Sequence, residues 1–230
     1  MKKIVIVAYS HGREGTSALM GILKNFFYDV PDKVKPSKMN PKGFFEDPQF
    51  DQLVFECYSR NNGDLSLPPD KDIDSYLKDK DHLKKIITAF ERLVDSKEKF
   101  ALKAPRYLLI PLLKEYGDQY DIKILHISRN EKDHVNSIYR VWQTITGISE
   151  EKKKMKKREI RNWIKQWKKF GESILKETPF PILYVPFEEI ISEREQSLKK
   201  IAAFLNETSI SIDIFDWLDP KLINRKKLKL

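Results

Sequence analysis

Four short runs rich in Ile, Val and Leu, at residues 4–8, 100–103, 122–127 and 182–185, recur along a chain otherwise patterned for helices. Their near-continuous apolar character, in place of an alternation, is what a strand covered on both faces requires. Helical patterns fill the intervals, over residues 16–28, 50–60, 73–95, 105–116, 131–146, 150–176 and 187–205. Pro105 opens one of them, at a position where its missing N–H costs nothing. Strands alternating with helices imply right-handed crossovers and a sheet clothed by helices. The expected fold class is therefore α/β, a three-layer sandwich around a mainly parallel central sheet. With 230 residues the chain is long enough for a single domain over 1–230, ending in a basic tail at about 221–230.

Charge is spread unevenly. The net charge is +9, yet residues 152–169 hold ten Lys or Arg against one acid, Glu159, and residues 221–230 hold five more with none. The rest of the chain is mildly acidic. Within 150–176, Ile160, Trp163, Ile164, Trp167, Phe170 and Ile174 recur at helical spacing, which predicts a core-facing stripe with the lysines on the opposite, wet face. The single cysteine, Cys57, excludes an internal disulfide and a Cys-rich metal site. No run approaches the roughly 18 apolar residues of a membrane span. The apolar run near the start is too short for the core of a signal peptide, so a cytoplasmic location is expected.

The first apolar run feeds "SHGREGTSALM", a small-residue loop opening a helix. A helix start after a strand presents free N–H groups and a positive dipole end, and so attracts phosphate. The loop lacks the lysine of the nucleotide-binding GxxxxGK[ST] motif, since Thr16 follows Gly15 and Ser10 stands at the first glycine. Gly12 and Gly15 let the backbone come close to an anion. Arg13 can supply the missing charge with a two-pronged guanidinium, and Thr16 and Ser17 add hydroxyls. Metal-assisted ATP chemistry also wants an acid at a neighbouring strand end. The strands in "FALKAP" and "ILHISRN" end instead on cations, Lys103 and Arg129, so no metal is expected.

These segments resemble sulfotransferases, in particular bacterial and carbohydrate-type members. "SHGREGTSAL" resembles the family's 5′-phosphosulfate loop, and "ILHISRNEKDHVNSIYR" its 3′-phosphate segment, with Arg129 at the strand end and Ser137 eight residues on. "NPKGFFEDPQFDQL", "ALKAPRYLLIPLL" and "ILYVPFEEIISEREQSLKKIAAFL" resemble three further blocks, in the family's order. The resemblance implies a P-loop-like fold and sulfuryl transfer from 3′-phosphoadenosine 5′-phosphosulfate (PAPS) to an acceptor hydroxyl or amine. It places Arg13, Glu14, Gly15, Thr16 and Ser17 on the 5′-phosphosulfate and Arg129 and Ser137 on the 3′-phosphate. Lys103 falls beside the transferred group. The partners implied are the nucleotide donor and a small-molecule or glycan acceptor.

Glu14 stands where that loop usually has serine, so its carboxylate is expected to turn outward or to pair with Arg13. The acceptor's proton needs a base. Glu46, after the aromatic pair, is the first candidate, with helix capping its competing role; His11 and Asp47 follow. His126 reads as a core histidine and His134 as a helix-surface residue. Phe44, Phe45, Tyr58 and Tyr76 are open to a role in an acceptor pocket or in the core. Two other functions stay open on the residues: a small-molecule kinase with an atypical loop, and a non-enzymatic binder of nucleic acid or anionic lipid through the basic segments.

Overall fold

The computed structural model describes residues 1–35, 44–58, 68, 75, 77–104, 107–114, 117–144 and 150–208. The basic tail at 221–230, Tyr76 and the NPKG residues 40–43 lie outside that set.

Among the described residues four strands form one sheet: β1 (Lys2–Ala8), β2 (Lys99–Ala104), β3 (Tyr120–Ser128) and β4 (Ile182–Pro186). All pairings are parallel, in the order β2-β1-β3-β4. Parallel pairing turns each connection into a crossover. The loops leaving β1, β2 and β3 therefore emerge side by side at one end of the sheet. In register, Ala8 of β1 stands opposite Ala104 and His126, so β1 and β2 end level and β3 runs two residues further.

The helices are α1 (Thr16–Asn25), α2 (Pro48–Tyr58), α3 (Lys80–Val94), α4 (Leu109–Leu112), α5 (Glu131–Thr144), α6 (Glu150–Lys154), α7 (Lys157–Glu177), α8 (Phe187–Ser192) and α9 (Arg194–Leu205). They form two layers, because alternate residues of β1 enter two separate cores. Ile4 and Ile6 pack with Phe50, Phe90, Ile138 and Trp167, from α2, α3, α5 and α7. Val5 and Val7 pack with Leu19, Leu23, Ile190 and Ile201, from α1, α8 and α9. The expected sandwich is present, with an all-parallel sheet.

Two expected helices are broken. The pattern over 150–176 divides into α6 and α7, because Glu159 folds back to accept the Lys156 N–H at 2.6 Å and starts a new helix. That over 187–205 divides at Glu193, whose φ of −124° and ψ of 47° leave the helical region. The amphipathic expectation for α7 holds: Ile160, Trp163, Ile164, Trp167 and Ile174 are buried. On its wet face Arg161 and Lys165 reach across to Glu131 of α5, at 2.9 and 3.6 Å. Phe45 and Tyr58 are core residues, with Tyr58 donating from its hydroxyl to the Leu108 carbonyl at 2.8 Å.

Candidate active site

The loop between β1 and α1 is held from within. Gly15 has a φ of 97°, a conformation for which glycine alone carries no steric cost. A Cβ there would also meet the Phe187 ring at 2.1 Å. Arg13 is left-handed too, with a φ of 79°. No side chain caps α1. Its first backbone bonds run from the Ala18 and Leu19 N–H groups to the Gly15 carbonyl, so the positive end of α1 faces the loop. Thr16 is buried at that turn.

Glu14 does not turn outward. Its carboxylate lies inside the loop, 1% exposed, where Oε2 accepts the Ser10 N–H at 2.8 Å and Oε1 accepts the Ser10 hydroxyl at 2.7 Å. Burial pushes its carboxyl up to about 7, against the opposing pull of the Ser10 hydrogen bonds and the Lys168 charge. The Glu14 side chain thus braces the loop, and it has no place among groups that touch an anion outside it.

β3 and α5 supply the second half of the site. Arg129 follows the last strand residue and donates from Nη1 to the Arg13 carbonyl at 2.9 Å. Its guanidinium lies 5.0 Å from the centroid of the Phe187 ring. Ser137 lies two turns along α5 and is buried. His134, one turn before it, is completely buried in place of being a surface residue. Its Nε2 lies 3.0 Å from the Gly12 carbonyl and its Nδ1 3.4 Å from Glu14 Oε1. Lys168 of α7 reaches the Arg129 carbonyl from the other side at 3.4 Å. Loop and strand end are therefore one connected unit.

β2 brings the third element. Lys103, opposite Val7 in register, is 2% exposed. Its ammonium donates to Ser17 Oγ at 3.3 Å, to Glu46 Oε1 at 2.8 Å and to the Phe44 carbonyl. Burial pulls its pKa below the usual lysine value, while the Glu46 carboxylate pulls it back. Asp47, not Glu46, caps α2: its Oδ1 accepts the Gln49 and Phe50 N–H groups at 3.2 and 3.3 Å, and Oδ2 holds Lys33 at 2.7 Å. Glu46 is left to Lys103. Asp51, one turn into α2, is pushed up to about 7 by burial and by the Glu46 charge.

His11 packs its ring 4.2 Å from that of Trp163, with its Nδ1 3.3 Å from the Gly12 carbonyl of the loop. His126 is half-buried in β3, with its Nε2 2.9 Å from the Tyr107 hydroxyl. Sequence reasoning did not single out Lys168 or Asp51, and it misplaced His134. A signal for His134 existed, since it stands four residues before Ile138 and one before Val135, on the buried stripe of α5. Lys168 directly follows buried Trp167, on the border of the stripe.

The assembly brings Arg13, Lys103, Arg129 and Lys168 around the loop at the start of α1, with the carboxylates of Glu46 and Asp51 on the Lys103 side. That is a site for a multiply anionic ligand next to a proton acceptor. No curated protein matches the chain. A sulfotransferase domain from the curacin biosynthetic pathway superposes with a TM-score of 0.54 at 13% identity, over 94% of this chain and 78% of that one. Mouse sulfotransferase SULT7A1, solved as a complex with PAP, gives 0.51 at 15% identity, over 100% of this chain and 66% of the mouse chain. At such identities the likeness is one of fold. The sulfotransferase domain family itself matches residues 2–215. The chain belongs to that family.

Proposed function

We propose that this chain transfers a sulfuryl group from PAPS to a hydroxyl or amine on a carbohydrate or small molecule. The observation that carries the reading is the position of Lys103, whose ammonium bridges Ser17 of the donor loop and Glu46. One cation then serves both halves of a group transfer. The uncapped start of α1, Arg13, Thr16 and Ser17 fit a 5′-phosphosulfate, and Arg129 and Ser137 fit a 3′-phosphate. The complex of mouse SULT7A1 with PAP supports this choice of donor.

In-line transfer between oxygens leaves the protein two tasks, to position the partners and to stabilise charge on the leaving phosphate. Arg13 and Lys103 supply positive charge where that phosphate would lie. Glu46 accepts the acceptor's proton when Lys103 transfers its hydrogen bond from Glu46 to the donor. The reading excludes Glu46 as a helix cap, because Asp47 has that role.

The test is incubation of the protein with PAPS and a panel of sugars, phenols and amines, followed by mass spectrometry. A product heavier by one sulfuryl group, formed together with 3′,5′-ADP, is the expected result. Phosphoryl transfer from Mg·ATP to the same panel, with PAPS inert, contradicts it.

A further inference from the structure

The pair formed by Glu14 and His134 has a chemistry of its own. His134 Nε2 faces the Gly12 carbonyl at 3.0 Å, and a carbonyl only accepts, so Nε2 bears the ring proton. Nδ1 of the neutral ring is then a bare lone pair, and it faces Glu14 Oε1 at 3.4 Å. Ser10 donates to both carboxyl oxygens of Glu14, through its N–H to Oε2 and its hydroxyl to Oε1. If Glu14 were ionised beside a neutral ring, two electron-rich atoms would oppose each other in a site where both residues are at most 1% exposed. One further proton removes the conflict, and it leaves the buried pair uncharged overall.

We propose that Glu14 and His134 share one proton, held on the Glu14 carboxyl, and so form a clasp that fixes the donor loop through Gly12 and Ser10. Both are positioning residues: they act on the donor through the backbone of the loop and do not touch it. The proposal rests on the PAPS reading for what the loop binds, but the clasp is a property of the ligand-free protein.

The surroundings agree with the proton's place. Three cations stand around the pair: Arg13 on the loop, Arg129 after β3 and Lys168 on α7. They disfavour an imidazolium. Burial, the largest effect, pushes the ring down to about 3 and the Glu14 carboxyl up to about 7. The other titratable neighbours are His11, whose ring centroid lies 6.5 Å from that of His134, and Tyr107, whose hydroxyl burial and the Glu14 charge push up. The clasp also joins the two phosphate sites, since His134 sits one turn before Ser137 on the helix that would read the 3′-phosphate.

The clasp is tested by Glu14→Gln, Glu14→Ala and His134→Ala, read in two ways. In Glu14→Gln the side-chain amide presents N–H where the protonated acid has O–H, so the clasp survives. First, nitrogen-15 NMR of the ligand-free protein follows the His134 ring. It is expected neutral, protonated on Nε2, from about pH 5 to 8 in the wild type and in Glu14→Gln. A ring that titrates at its ordinary value, or that carries its proton on Nδ1, overturns the clasp whatever the protein binds. Second, calorimetry measures 3′,5′-ADP. Glu14→Gln is expected within about threefold of wild type, and the two alanine variants about tenfold or more weaker. Alanine variants that bind as wild type overturn the positioning role. A wild type that binds no 3′,5′-ADP, with the NMR result as expected, refutes the donor reading and leaves the clasp standing.

Discussion

Arg129, at the exit of β3, donates to the main-chain carbonyl of Arg13, 116 residues earlier in the chain, at 2.9 Å. One guanidinium thus fixes the distance between the loop after β1 and the end of β3. Its central carbon also lies 5.0 Å from the centroid of the Phe187 ring, the ring that a Cβ on Gly15 would meet. The proposed function puts the same guanidinium on the 3′-phosphate as well.

Arg129→Lys tests that double use. Lysine keeps the charge but loses the fork and the stacking plane. Loss of one charge-assisted contact is worth about 1.5–3 kcal/mol, so 3′,5′-ADP is expected to bind roughly ten- to a hundredfold more weakly. Affinity for 5′-ADP should change far less, and calorimetry with both nucleotides reads the difference.

Glu46→Gln keeps the shape of the contact with Lys103 and removes the proton acceptor. With an acceptor substrate in hand, turnover is expected to drop by about 10²–10⁴, the usual weight of a general base. Donor affinity should hold, because Lys103 retains Ser17. If turnover persists, Asp51 is the next carboxylate to test, as it lies close enough to Lys103 to feel its charge.

Gly15→Ala is expected to destabilise the fold as well as the site. The backbone is left-handed there, and the new methyl would fall 2.1 Å from the Phe187 ring. Strain and overpacking together predict a loss of about 2–4 kcal/mol, measurable by urea unfolding. Gly12→Ala meets nothing within 4 Å and serves as the control.

His126 makes the fold sensitive to acid. Burial pushes its pKa from 6.5 down to about 4, so the unfolded chain takes up a proton in that window while the folded one does not. Stability present above about 6.5 is therefore lost as pH falls towards 4, by at most about 1.4 kcal/mol per unit. Thermal melts at pH 7 and 5 should show the decline, and His126→Gln should lessen it. In the same window Glu14 and His134 largely offset each other. The unfolded histidine gains a proton below 6.5, while the folded pair already holds one.

Buried parallel strands announce themselves, because a run such as IVIVA has no other use in a chain this size. All four strands begin and end within two residues of where the apolar runs place them. Helix breaks were less legible. Those at Lys156 and Glu193 involve no Gly or Pro and depend on backbone dihedrals and one reciprocal cap. At the site, Lys103 and Arg129 stand at the ends of β2 and β3, where the apolar runs stop, and each reaches a neighbouring loop: Lys103 to Glu46 and Arg129 to the Arg13 carbonyl. Glu14 was misread because its partner Ser10 is local but the burial that drives it inward comes from α5. The cap on α2 was readable in hindsight, since Asp47 directly precedes Pro48 at the first helical position.

The central claim is that the loop after β1 and the end of β3 together read a nucleotide carrying both a 5′- and a 3′-phosphate. Calorimetric titration of the wild-type protein with 3′,5′-ADP, 5′-ADP and Mg·ATP at one ionic strength tests it most directly. The account predicts that 3′,5′-ADP binds at least about tenfold more tightly than either of the others, the worth of one charge-assisted phosphate contact. Equal affinity for 3′,5′-ADP and 5′-ADP, or a preference for Mg·ATP, contradicts it.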